Sequence, residues 1–192
     1  MGRGRSTLAI ITGLLLAACA AAPAPAATPT PLGQVYTAPD GRLSFQYPLG
    51  WVVAGEPTQI QLANSRMALT ATRPRPGQFQ ARITAGPIAA RPGLTAEATP
   101  RQVVDSFVAA IQQGMDAPTF GEPADVLIGA LPAGRVEATT ADGQAVLLAV
   151  NLGGGIYAIV SGVAAPGELA AFEPALLAII QTLVYTLPEA AG

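Results

Sequence analysis

The order of apolar patterns along the chain predicts an α+β domain, an antiparallel β-sheet packed by helices. Strand-like runs come first, a single helical pattern follows at Thr99, further strand-like runs come next, and a second helical pattern closes the chain. The segment Ala145 to Val150 is apolar at every position, which places that strand centrally and covered on both faces.

Each element can be justified in turn. Val35-Tyr36-Thr37 precedes Asp40-Gly41, a strong turn signal, and Leu43, Phe45 and Tyr47 then alternate as one face of a strand. Pro48-Leu49-Gly50 interrupts before Trp51-Val52-Val53 resumes. Ile60-Gln61-Leu62 and Met67 to Thr72 read as a hairpin around Asn64-Ser65, and Phe79 to Ala85 alternates again. Thr99 is a natural cap, Pro100 suits the first helical position and Gln102 completes a capping box. Val104, Phe107, Val108 and Ile111 follow at helical spacing, and Gly114 is the stop. Val126 to Leu131, Gly134 to Thr140, Gln144 to Leu152 and Ile156 to Val163 predict four strands, with turns at Asp142-Gly143 and Gly153-Gly154-Gly155. A last helix is expected from Glu173 to Val184, carrying Leu176, Leu177, Ile179, Ile180 and Leu183 inward.

The run Asp40-Gly41, Leu43-Ser44-Phe45-Gln46-Tyr47-Pro48, Trp51-Val52-Val53 resembles the opening of PsbP-like domains, and Ile156 to Val160 with the closing helix ending Thr182-Leu183 resembles their C-terminal half. The resemblance spans about residues 34–187 and implies a PsbP-like α/β/α sandwich over residues 34–188. That family includes the extrinsic subunit of photosystem II, a nuclear-import accessory protein and many bacterial lipoproteins. It implies action through binding of partners, not catalysis. Plant photosystem members carry histidines near ion sites, and this chain has no histidine.

The N-terminus has a different character. Arg3 and Arg5 precede an apolar segment from Leu8 to Ala18, the anatomy of an export signal and too short for a lasting span, which needs about 20 apolar residues. Leu16, Ala17, Ala18 and Cys19 resemble the lipobox of bacterial lipoproteins, which implies cleavage after residue 18 and a diacylglyceryl group on the Cys19 thiol. Ordinary secretion with cleavage near Ala22 and Ala24 would leave Cys19 without a use. Two acyl chains suffice for stable anchoring. Lipidation therefore predicts an extracytoplasmic domain held at the cell membrane, or at an outer membrane where one exists. Residues 19–33 are rich in Ala, Pro and Thr; the stretch 20–31 at roughly 3 Å per residue gives a tether of about 35 Å.

Composition excludes several classes of chemistry. Without histidine or lysine, Ser-His-Asp, Cys-His and Ser-Lys arrangements are impossible. A single lipidated cysteine leaves no disulfide and no ordinary zinc site. No catalytic residue, metal ligand or cofactor is therefore assigned. The close pairs Glu122/Asp125 and Glu168/Glu173 are the one route to a hydrolase, and their Pro- and Gly-flanked settings read as solvated loops. Without Arg3 and Arg5 the chain has 8 arginines against 12 acids, a net charge of −4 that offers nothing to nucleic acid. The basic residues cluster in sequence: Arg66, Arg73, Arg75, Arg82 and Arg91 lie in a stretch from Glu56 to Glu97 that has no acid between its ends. They could meet anionic head groups; Pro74, Pro76 and Pro92 argue instead for separate solvated loops. The expected role is a binding or accessory module for an envelope protein or lipid-linked partner, docked on the end opposite the tether. A carrier or sensor of an apolar small molecule is the alternative.

Overall fold

The structure, a computed structural model, describes residues 31–56, 59–114 and 117–187. The signal segment, Leu16, Ala17, Ala18 and Cys19, and the tether up to residue 30 lie outside the described residues.

Among the described residues the fold comprises two antiparallel sheets, three α-helices and one 3-10 turn at Ile88–Ala90. A three-stranded sheet has the order β1 (Leu32–Thr37), β2 (Leu43–Pro48), β11 (Val184–Tyr185). The large sheet runs β3 (Val52–Glu56), β4 (Gln59–Ala63), β5 (Phe79–Pro87), β10 (Ile156–Ala164), β9 (Gly143–Gly153), β8 (Leu131–Thr140), β6 (Thr119–Phe120). Strand β7 (Ala124–Ile128) pairs with the far part of β8. The helices are α1 (Arg66–Thr70), α2 (Pro100–Gln112) and α3 (Leu169–Gln181).

Strand β9 is central, as its unbroken apolar run demands. Val146, Leu148 and Val150 point into the larger core with Leu43, Phe45, Phe79, Leu176, Ile179 and Ile180, while Leu147 and Ala149 point into a second core with Val103, Val104 and Tyr157. The sheet is therefore covered on one face by α3 and the small sheet and on the other by α2. At roughly 1.5–3 kcal/mol for each fully buried large apolar side chain, the fully buried Leu176, Ile179 and Ile180 hold α3 down firmly. The predicted capping box is present: the Thr99 hydroxyl accepts from the Gln102 N–H at 3.3 Å, and the Gln102 side chain accepts from the Thr99 N–H at 2.8 Å.

The structure corrects three sequence expectations. Met67 to Thr72 is not a strand paired through Asn64-Ser65. Ser65 is extended (φ −163°, ψ 161°), its Oγ accepts from the Ala68 N–H at 3.1 Å, and this cap starts the short helix α1 with Ala68 fully buried. The Gln80 side-chain amide donates to the Ala68 and Ala71 carbonyls and clamps that helix to β5. The strand expected over 126–131 turns at Gly129, whose φ of +62° suits glycine, so β8 begins already at Leu131. The closing helix starts four residues early, at Leu169, and ends at Gln181. Pro174 sits inside it, where it removes one N–H from the ladder. Val184 and Tyr185 leave the helix to pair with Ser44 and Leu43.

Candidate functional site

Helix α2 crosses β8 closely because residue 134 is glycine: a Cβ there would come within 2.7 Å of the Pro100 carbonyl carbon and 2.9 Å of Val104 Cγ2. This approach leaves a groove of about 620 Å³ between the first turns of α2 and β7. Arg101, Gln102 and Asp105 form one wall, Asp125, Val126 and Leu127 the other, and Pro132 and Ala133 line it from β8. Leu127 is 74% exposed, the most exposed large apolar side chain among the described residues. Arg101 reaches out to Glu122 at 3.7 Å. An apolar lining with acids and one arginine along its walls suits an apolar or extended ligand. Among the described residues β7 pairs only with β8, so its outer edge keeps unpaired backbone groups.

The acid pairs suggested by sequence are not the pairs that space brings together. Asp125 shares the groove with Asp105, while Glu122 turns to Arg101. Sequence spacing could not join Asp105 to Asp125; the available signal was Arg101 and Asp105 on one exposed face of α2, four residues apart. Glu168 and Glu173 also separate. The Glu168 carboxylate accepts from the Gly77 N–H at 2.7 Å, and Glu173 accepts from Arg135 Nε at 2.9 Å. Arg135 also meets Glu137 at 2.6 Å. The hydrogen bonds and charge of both carboxylates hold the Arg135 guanidinium above its ordinary value, although burial, the largest influence, pulls the other way. No group of three or more Asp, Glu, His or Cys that could hold a metal occurs among the described residues.

The five arginines separate into three places. Arg66 begins α1, and Arg73 and Arg75 line a hollow beside it together with Met67. Arg73 pairs with Asp142 at 2.6 Å. Arg82 stands on the middle of β5, in a small hollow against Leu69 and Ala71. Arg91 is elsewhere, its guanidinium carbon 3.5 Å from the Phe107 ring centroid beside a hollow of about 350 Å³. Tyr157 lines that hollow too. Its hydroxyl donates to the Ala98 carbonyl at 2.6 Å, and burial pushes its pKa up.

This two-faced arrangement is a PsbP-like fold. The chain is similar to cyanobacterial PsbP (CyanoP) from Synechocystis sp. PCC 6803, known from a solution structure, with a TM-score of 0.54 and 11% identity over 80% of this chain and 92% of that one. It is also similar to a crystal structure from Bacteroides thetaiotaomicron VPI-5482, with a TM-score of 0.53 and 16% identity over 83% of this chain. The match takes in 50% of the Bacteroides chain, so this protein spans about half of its length. At these identities the likeness is one of fold. No family model matches the sequence, and no curated protein matches it. No helix among the described residues is long and apolar enough to cross a membrane.

Proposed function

We propose that the protein is a membrane-anchored extracytoplasmic lipoprotein, acylated at Cys19, whose PsbP-like domain is a non-enzymatic binding or accessory module for an envelope protein or lipid-linked partner. The observation that carries this reading is the position of the α2–β7 groove. It lies by the start of β8, at the end of the large sheet remote from Leu32, where the tether joins the domain. A domain held by its N-terminus thus carries an exposed apolar residue, Leu127, and an unpaired strand edge at the end opposite its point of attachment. The fold neighbour CyanoP supports an accessory role, and the Arg-bound Glu173 and Gly77-bound Glu168 offer no paired acid and base for hydrolysis. The carrier reading has less support: the hollow beside Tyr157 opens at the surface, and Arg91 lies across Phe107 at its rim.

The test is in-cell photocrosslinking, with the reactive side chain placed at position 127 in one chain and at position 49 in another. A partner captured from 127 but not from 49, and lost from 127 when Asp125 is also changed to Arg, supports the reading. Equal capture from both positions, or none from 127, overturns it. Intact-mass measurement of the native protein tests the anchor separately; a chain beginning beyond residue 19 without lipid sinks that part.

A further inference from the structure

The end of the domain at which the tether arrives is built from several segments, and direct contacts tie them together. Leu32 pairs with Pro48, and a Cβ on Gly33 would come within 2.8 Å of Leu49 Cγ, so the incoming chain lies against the Pro48–Trp51 turn. Trp51 packs on Phe79 with ring centroids 5.7 Å apart. The Phe79 N–H donates to Asn64 Oδ1 at 3.0 Å, and Asn64 Nδ2 donates to the Gly77 carbonyl at 2.8 Å. Residue 65 then caps α1. Arg73 closes the ring by pairing with Asp142 on the β8–β9 turn.

This end carries Arg66, Arg73 and Arg75 against Asp142 and Glu168, a local charge of +1. The remote end, where the β1–β2 and β3–β4 turns and the start of α2 lie, carries Arg42, Arg91 and Arg101 against Asp40, Glu56, Glu97, Asp105 and Asp125, which gives −2; Glu122, opposite the middle of β8, is counted with neither end. The proximity of Asp40 and Glu56 is felt by Tyr36, whose pKa is raised by burial first and by those two carboxylates next. Among the described residues Arg66 and Arg75 form no ion pair. Met67 follows Arg66 and lines one hollow with Arg73 and Arg75, and Leu49 stands on the Pro48–Trp51 turn against Gly33; each of these two apolar side chains is 71% exposed. Cations around protruding apolar groups, on a domain of net negative charge, form the arrangement that settles on an anionic lipid surface.

We infer that the tether end, through Arg66, Arg73, Arg75, Met67 and Leu49, docks on the head groups of an anionic phospholipid bilayer and so orients the domain with its α2–β7 groove outward. The inference rests on the membrane anchor proposed above, and it assigns to the folded domain a lipid contact of its own. The polarity matters because a tether of about 35 Å would by itself leave every face free to meet the bilayer. Docking of one end removes that freedom.

The test uses the chain from residue 19 with Cys19→Ser, without lipid; both core clusters lie within Ala38–Leu183, so this chain keeps them whole. It is sedimented with vesicles of phosphatidylcholine alone and with vesicles that also contain phosphatidylglycerol. A basic side chain near an anionic surface contributes about a factor of five. Three arginines opposed by two acids, a local charge of +1, predict about fivefold stronger partition to the phosphatidylglycerol vesicles, abolished at high salt. The variant R66Q/R73Q/R75Q loses that preference, and R42Q at the remote end keeps it; Trp51 fluorescence confirms that each variant is folded. No lipid preference, or an equal loss in R42Q, overturns the inference. Because the protein tested has no acyl chain, this outcome is independent of whether Cys19 is modified, which intact mass decides.

Discussion

Phe79 is the residue through which the large sheet, helix α3 and the tether end are joined, and its removal gives the sharpest test of the architecture. It is fully buried, stacks on Phe172 of α3 with centroids 5.3 Å apart and an interplanar angle of 20°, and lies 5.7 Å from Trp51. Its ring also fills the space over Gly162, where a Cβ would come within 2.9 Å of Phe79 Cζ. Truncation of a buried Phe to Ala costs about 3–5 kcal/mol. Each aromatic pair adds roughly 0.5–1.5 kcal/mol beyond its buried area, so the upper part of that range applies. Phe79→Leu keeps most of the volume but neither ring contact, and is expected to cost about 2 kcal/mol. Urea unfolding followed by the single tryptophan, Trp51, reads both stability and local structure, because this indole touches the deleted ring. A shift of about 2–4 °C per kcal/mol in the melting temperature gives a second measure. If Phe79→Ala costs less than about 2 kcal/mol, or if Trp51 emission in the folded variant does not change, α3 does not seat on this face as described.

Two further perturbations probe the polar contacts. Arg135→Met strips both carboxylates of their partner. With Glu173 only 20% exposed, the expected loss is about 1–2 kcal/mol, discounted for partial solvation from the larger cost of a fully buried pair, and adding Glu173→Gln should restore part of it in a double-mutant cycle. Tyr157→Phe leaves the Ala98 carbonyl without its donor and should cost about 1 kcal/mol at neutral pH. The folded-state pKa of Tyr157 is raised above 10.0, so its contribution is complete below pH 10.0 and declines as pH rises from there through the folded value. The alkaline arm of the wild-type stability curve should therefore be steeper than that of the variant, with Tyr36 supplying the residual slope.

The sequence showed the α+β class because period-two alternation and the apolar run in β9 are local patterns with a direct meaning for burial. The α2 cap was legible for the same reason, since Thr99, Pro100 and Gln102 state it within four residues. Failures came where a nonlocal contact decided the outcome. The segment after Ser65 has strand-like composition, yet the Gln80 side chain, twelve and nine residues away in sequence from the carbonyls it binds, holds it as a helix. Leu169 starts α3 because its side chain reaches the larger core, a nonlocal contact that the helical spacing from Glu173 onward does not show. The groove was hidden for a similar reason. It exists because Gly134 admits α2 to the sheet, and no motif links that glycine to Asp105 or Leu127.

The positions of the two charged ends follow from topology, not from clustering in sequence. The basic stretch from Arg66 to Arg91 spans two sheet ends, because β5 starts at Phe79 beside the tether and finishes at Pro87 on the remote side. A patch inferred from sequence alone would have counted Arg91 with the others, but β5 carries it to the far end, where its guanidinium is already engaged with Phe107. Arg82 stays on the strand between. The three arginines that remain are those between β4 and β5, the connection that α1 occupies. The element misread as a strand thus has a consequence for function: a hairpin there would have extended the sheet. A capped helical turn instead holds Met67 out at the surface beside Arg66, Arg73 and Arg75, at the end where residues 19–33 join the domain.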